Sequence, residues 1–316
     1  MKLTILAPGD TLCSLAPIPG VPERIRISIC PRRADGATAV RAYPCLIRHN
    51  GRLRLYRLAH VPARLVTFIA MSLPRFFCDT PLSPGACLAL PDALAHHAIR
   101  VLRLKDGASM TLFDGQGGEY PATLSIDGKS GWAQLGALDP REAELGGHIT
   151  LVQGLPSGDK MDWVVEKSVE LGASRVTPIA AQRSVLQLSG PRLEKRVAHW
   201  SRIAQSASEQ CGRNRLMSVD VPVGLRDWLE QPCAGLRLLC HPEATPTLAE
   251  ALAAASRSSP IQSLCLLVGP EGGWSDAELV LAAQHGVQSV RFGPRVLRTE
   301  TAGLALISAV TALLGW

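Results

Sequence analysis

Aromatic residues make up only 4% of this 316-residue chain. That is too few for single-stranded nucleic acid threaded over a row of stacking rings to be the main mode of binding. No apolar run approaches the roughly 18 residues of a membrane span, and the opening residues MKLTILAPGD hold one Lys, a short apolar run and an early Pro and Asp. Neither a membrane anchor nor a signal peptide is expected. The nine cysteines, at 13, 30, 45, 78, 87, 211, 233, 240 and 265, form no CxxC pair and no Cys/His cluster at zinc-finger spacing. Reduced thiols in a cytoplasmic protein without a metal are therefore expected. The chain also lacks GxGxxG, GxxxxGK[ST] and GxSxG, which disfavours a dinucleotide fold, a P-loop NTPase and a hydrolase nucleophile elbow. Internal repeats and low-complexity tracts are absent as well.

What is present is 47% apolar residues over a length that suggests about two domains, each able to bury a core. The net charge of +6 is unevenly spread. Residues 1–70 hold 11 Lys plus Arg and 3 Asp plus Glu, which leaves 22 basic and 24 acidic residues for the rest. Bulk charge after residue 70 thus says nothing for nucleic-acid binding. The basic leader 1–70 reads as an untranslated or disordered segment, because Met71 opens a better-patterned sequence; a nucleic-acid-binding arm is the alternative its charge permits.

From 71 to 143 the pattern is that of a small β-rich domain. Phe76–Cys78 is a short apolar run, a helix is expected from near Asp92, and alternating stretches follow at 109–113, 120–126 and 132–138. Asp114-Gly115 and Asp127-Gly128 are hairpin signals between them. On the helix, Leu94, Ala98 and Val101 share one face, and His96, Arg100 and Arg103 another. Residues 139–147, DPREAELGG, read as a linker.

Beyond it, from 147 to 316, strands alternate with helices. Strands are expected at 148–153, 174–180, 217–222, 236–240, 263–268 and 287–292, and helices at 160–171, 191–210, 225–230, 247–256, 276–285 and 300–314. The fold class is α/β with a mostly parallel sheet covered on both faces. Ligands of such sheets bind beyond the carboxyl ends of the strands. Two loops there stand out. Gly269-Pro270-Glu271-Gly272-Gly273 follows an apolar strand and precedes a capping box at Ser275 to Glu278, and Gly293-Pro294-Arg295-Val296-Leu297-Arg298-Thr299-Glu300-Thr301-Ala302 crowds charge between apolar elements.

These segments do not stand alone. PRFF (74–77), HHAIRVLRLKDG (96–107), LFDGQGGEY (112–120), EKSVELG (166–172), RS (183–184), SEQCGR (208–213), LVGPEGGWSDAE (267–278) and FGPRVLRTETA (292–302) occur in order. Together they resemble the small-subunit ribosomal RNA uridine N3-methyltransferases, the 16S ribosomal RNA (uracil(1498)-N(3))-methyltransferase family, over 71–316. Residues 1–70 have no counterpart in that family.

The resemblance implies a PUA-like RNA-binding barrel followed by a SPOUT methyltransferase domain with a C-terminal trefoil knot. It implies a homodimer that binds S-adenosylmethionine among the knot loops and acts on 16S ribosomal RNA of the small ribosomal subunit. By it the cofactor pocket is drawn from Leu239, His241, Val268, Gly269, Pro270, Gly272, Gly273, Phe292, Gly293, Val296, Leu297 and Thr301. Alternatives are a methyltransferase of the same fold on another RNA and a catalytically silent RNA-binding assembly factor.

Methyl transfer is an in-line displacement that needs alignment more than covalent help, and the imide proton of uridine N3 must leave. Arg298 is the candidate to favour the uridinate form, Glu300 the candidate proton acceptor and Glu271 its competitor. Candidates for phosphate contact are Arg75, His96, Arg100 and Arg103 in the small domain and Arg183, Arg213 and Arg215 in the large one.

Overall fold

The computed structural model describes residues 73–128, 130–232 and 235–316 in full, and three earlier strands by their backbone. The chain divides into two compact units, Met1–Ser72 and Leu73–Trp316. In the first, β1 (Ile27–Ser28), β2 (Tyr43–His49) and β3 (Arg52–Leu58) form an antiparallel sheet in that order. The rest of 1–70, and with it the expectation of a leader or basic arm, lies outside the described residues.

The second unit begins with a five-stranded sheet of β4 (Arg75–Phe77), β5 (Cys87–Ala89), β6 (Ser109–Phe113), β7 (Tyr120–Asp127) and β8 (Ser130–Leu135), ordered β4-β6-β7-β8-β5. Strict alternation along β7 and β8 buries Tyr120, Ala122, Leu124, Ala133 and Leu135 against Phe76, Met110 and Leu112. The Asp127-Gly128 turn joins the two strands, as its sequence predicts. Three details differ from expectation. The last strand runs 130–135 rather than 132–138, the three-residue β5 is too short to leave an alternation and was not foreseen, and Val101 is exposed although Leu94 and Ala98 are buried. The cause at Val101 is a change of pitch. Helix α1 (Asp92–His96) passes into a π-helical turn, His97–Val101, and the wider turn rotates Val101 off the apolar stripe.

A six-stranded sheet follows: β9 (His148–Gly154), β10 (Arg175–Ile179), β11 (Ser218–Val219), β12 (Leu236–Cys240), β13 (Ser263–Val268) and β14 (Gln288–Val290), ordered β11-β10-β9-β13-β12-β14. Every pairing in it is parallel. Strands this apolar are covered on both faces, and neighbouring residues point into opposite cores. Leu151, Leu238 and Leu266 face one core, with Trp200 and Ile307; Val152, Leu239 and Leu267 face the other, with Trp228 and Ala282.

The helices are α2 (Lys160–Glu170), α3 (Gly190–Cys211), α4 (Leu225–Leu229), α5 (Leu248–Ser256), α6 (Asp276–Gln284) and α7 (Thr299–Leu314). The capping box at Ser275 and Glu278 forms, and so does a second at Thr247 and Glu250. Strand β14 flanks β12 while α7 returns to pack on β9 and β13. That path is compatible with the trefoil threading the resemblance implies.

The two sheets of this unit meet through a polar joint at the end of α3. Arg75 lies over the Phe113 ring, pairs with Glu119 and donates to Asn214 Oδ1 at 2.6 Å. Glu119 also accepts from Arg141, and Arg141 donates to the Gly212 carbonyl. Asn214 Nδ2 donates to the Arg141 carbonyl at 2.7 Å, and the Phe77 amide donates to Glu209 Oε1 at 3.0 Å.

Behind this joint Arg213 is only 3% exposed. It pairs with Glu144 and donates to the carbonyls of Val169 and Ala173 at 3.0 and 2.8 Å. This corrects two of the phosphate-contact candidates. The Arg213 guanidinium is enclosed by protein acceptors, and that of Arg75 is largely committed to the joint. Arg213→Ala should cost roughly 3 kcal/mol or more, since it strands Glu144 and the Ala173 carbonyl. A lowered urea midpoint at unchanged slope is the expected reading.

Candidate active site

In an all-parallel sheet every strand points its carboxyl end the same way. The loops after β13, β12 and β14, which are neighbours in the sheet, therefore emerge side by side. These are the three loops from which the cofactor residues were drawn. Backbone bonds tie two of them together: the His241 amide donates to the Val290 carbonyl at 2.9 Å, the Arg291 amide to Pro246 at 2.8 Å, and the Leu248 amide to Arg291 at 3.1 Å. Leu239 and Val268 are buried, so only their backbone faces the loops, whereas Val296 is 80% exposed. Thr301 stands exposed on the first turn of α7.

The loop Gly269 to Gly273 is held from several sides. Below it lies the end of β9. A Cβ on Gly154 would stand 2.5 Å from Pro270 Cδ, so only glycine lets the loop rest there. In front, Glu271 accepts from Ser157 N at 3.0 Å, Ser157 Oγ at 2.7 Å and Lys160 Nζ at 2.6 Å. Partial burial alone would raise the Glu271 pKa; the Lys160 ammonium and the Ser157 donors outweigh it and hold the carboxyl at about 2. Behind, Arg183 Nη1 donates to the carbonyls of Gly272 and Trp274 at 3.2 and 3.1 Å. Buried Glu278 accepts from Gln182 N at 2.9 Å and Ser275 N at 2.8 Å.

The remaining predicted residues fall as follows. Arg298 is exposed at the N-cap of α7. Glu300 sits half-buried in the first turn, with Oε2 enclosed and without a hydrogen-bond partner. On the small domain His96, Arg100 and Arg103 are all exposed around the π turn, and Arg103 is the one described non-glycine residue with a positive φ, at 56°. Arg215 is exposed and pairs with Glu142 at 3.1 Å. On α2, Asp162 accepts from the Trp200 indole at 3.0 Å, and Lys167 bridges Glu166 and Glu170, so the acidic row on that helix is already paired.

Sequence reasoning missed Gln153. It is wholly buried at the end of β9 and donates to Thr299 Oγ1 at 2.7 Å. A lone Gln closing an apolar strand is the only signal that marks it. Among the described residues, no cluster of three or more His, Cys, Asp or Glu is placed to hold a metal, and no helix is long and apolar enough to cross a membrane.

Two of the three loops at this edge leave room beside their backbone. Gly273 and Gly293 are in the left-handed region, with nothing within 4 Å of where a Cβ would stand, so each loop offers open backbone to a ligand.

Comparison with known proteins agrees with this geometry. An RNA methyltransferase domain family matches residues 142–311, and an RNA methyltransferase PUA domain family matches 90–135. The ribosomal RNA small subunit methyltransferase E of Synechocystis is 35% identical over 232 residues, 72% of this chain and 74% of that protein. A crystal structure of the Neisseria gonorrhoeae ribosomal RNA small subunit methyltransferase E bound to S-adenosyl methionine is 36% identical. It covers 76% of this chain and 98% of its own, with a TM-score of 0.69. A putative methyltransferase from Legionella pneumophila, solved with bound SAM, is 31% identical over 77% of this chain and 98% of its own, with a TM-score of 0.70. With its two domain types in this order, and with relatives matched over most of their length, the chain belongs to the ribosomal RNA small subunit methyltransferase E family.

Proposed function

We propose that this chain transfers the methyl group of S-adenosylmethionine to N3 of one uridine, a U1498-type position, in 16S ribosomal RNA of the small subunit. It does so as a cytoplasmic homodimer. The observation that carries the reading is the gathering of three loops on one sheet edge, two of them glycine-bearing, against a helix that opens with Arg298 and Glu300.

When bound, the cofactor supplies an electrophilic methyl group. The backbone of the loops after Leu239, Val268 and Val290 would hold it, with Pro270 and Val296 among the residues of those loops. Arg298, a cation at the loop's exit, favours the uridinate form of the base. Glu300, half-buried in the first turn of α7, is the candidate acceptor of the imide proton. Glu271 is a poor base for this task, since a carboxyl held at about 2 gives up little by staying ionised at neutral pH; its part is to anchor the loop. The exposed trio His96, Arg100 and Arg103 suits phosphate contact, with Arg183 and Arg215 at the rim of the large domain. Residues 71–143 serve as the RNA-binding domain and 147–316 as the methyltransferase domain. The groove on α7 between Leu171, Ser308, Thr311, Ala312 and Trp316, with Leu313 exposed beside it, supports pairing of two chains.

Small subunits from cells lacking this protein should gain 3-methyluridine on incubation with it and labelled S-adenosylmethionine. Cofactor binding without incorporation would point to another RNA, and absence of binding would leave the silent assembly factor. Arg298→Ala should lower turnover by about a hundredfold while cofactor affinity stays within about threefold, read by single-turnover kinetics and calorimetry. Because the folded pKa of Glu271 lies below its ordinary 4.5, its contribution is complete above that pH and is lost as pH falls towards 2. Unfolding followed from pH 6 to pH 3 should show this loss, and Glu271→Gln should flatten it.

A further inference from the structure

The end of β9 holds an amide where its neighbours hold aliphatic side chains. Gln153 is fully buried, next to Val152 and in register with Val268 of β13. A buried amide costs free energy unless its hydrogen bonds are met, so its presence in an apolar strand calls for a use. Its Nε2 donates to the Gly154 carbonyl at 3.0 Å and to Thr299 Oγ1 at 2.7 Å. The Thr299 hydroxyl, 6% exposed, passes its own proton on to the Gly269 carbonyl at 2.5 Å. Gln153 Oε1 has no partner and faces α7, where a Cβ on Gly303 would stand 3.3 Å away.

One relay of two hydrogen bonds therefore joins three separate parts of the chain: the central strand, the first residue of the glycine-rich loop and the first residue of α7. Donor and acceptor roles along it are fixed. The Gly269 carbonyl can only accept, so the Thr299 hydroxyl must donate there and accept from the amide. The amide must in turn present nitrogen to Thr299 and leave its oxygen unpaired. Arg298 and Glu300 flank Thr299 directly, so whatever sets Thr299 sets them.

We propose that Gln153 is a positioning residue for methyl transfer. Through the Thr299 hydroxyl it holds Gly269 and the head of α7 in one register, so that the cofactor loop and the pair Arg298 and Glu300 keep a constant separation. The assignment rests on the methyltransferase reading above. It adds a residue that touches neither cofactor nor RNA.

The two links differ in what they hold, and that makes the test specific. Gln153→Leu keeps the bond from Thr299 to Gly269 but removes the hydrogen bond from β9 to the head of α7. It should lower kcat at saturating substrates about tenfold or more and leave cofactor affinity within about threefold. Thr299→Val removes both links and should weaken cofactor binding about tenfold as well, whereas Thr299→Ser keeps the hydroxyl and should stay within about threefold of the unaltered protein on both measures. Unaltered kcat in Gln153→Leu, or equal loss in Thr299→Val and Thr299→Ser, would overturn the proposal. If Gln153→Leu does not fold, the comparison of Thr299→Val with Thr299→Ser decides alone. Calorimetry with S-adenosylmethionine reads that comparison without RNA. Failure of methylation by the unaltered protein would sink the RNA assignment, and the calorimetric contrast would still test the relay.

Discussion

The parallel direction of all six strands in the large sheet is the constraint from which the site follows. Parallel strands put all their carboxyl ends on one edge, and the order β9-β13-β12-β14 makes neighbours of four strands that are scattered over more than 140 residues of sequence. Everything chemical then happens where those ends meet. The chain supplies loops with open backbone, and it spends its polar side chains on holding them: Ser157 and Lys160 on Glu271, Arg183 on two carbonyls, Thr299 on Gly269. This preorganisation suits a reaction that depends on alignment, since loop ordering is completed during folding and not during binding.

The joint between the two sheets is of a different kind. It is polar and partly buried, and its arginines would by sequence pass for nucleic-acid contacts. Two guanidiniums share Glu119, one amide side chain both donates and accepts across the boundary, and a strand amide is capped by a helix carboxylate. Groups paired across a boundary in this way specify one geometry strictly, because a small rotation leaves several of them unmet at once.

How much of this was legible in the sequence depends on what kind of signal each part leaves. The large sheet and its helices were legible because burial imposes a period, and the capping box at Ser275 and Glu278 because it is local. The two shortest strands, β11 and β14, were expected longer than they are, since an edge strand can stop pairing while its apolar pattern runs on. The π turn at His97–Val101 was not legible: one extra residue per turn leaves no mark in composition. The loops were found from their glycines and from the resemblance.

The arginines were the weak point. A charge in a sequence does not name its partner, and Arg213 reads the same whether it meets a phosphate or, as here, Glu144 and two carbonyls inside the protein. Gln153 left still less, for a single amide is invisible until the strand beside it and the helix above it are known.

Helix α3 spans 22 residues, from Gly190 just beyond the Arg183 loop to Cys211 at the polar joint. At 1.5 Å per residue it is a rod of roughly 33 Å. It packs along α2 with Trp200 and Ala204 in the core, so it is the strut that sets how far the polar joint stands from the Arg183 loop. One helical turn more or less within α3 would move the joint by about 5 Å and take Glu209 and Asn214 away from the strand residues they hold.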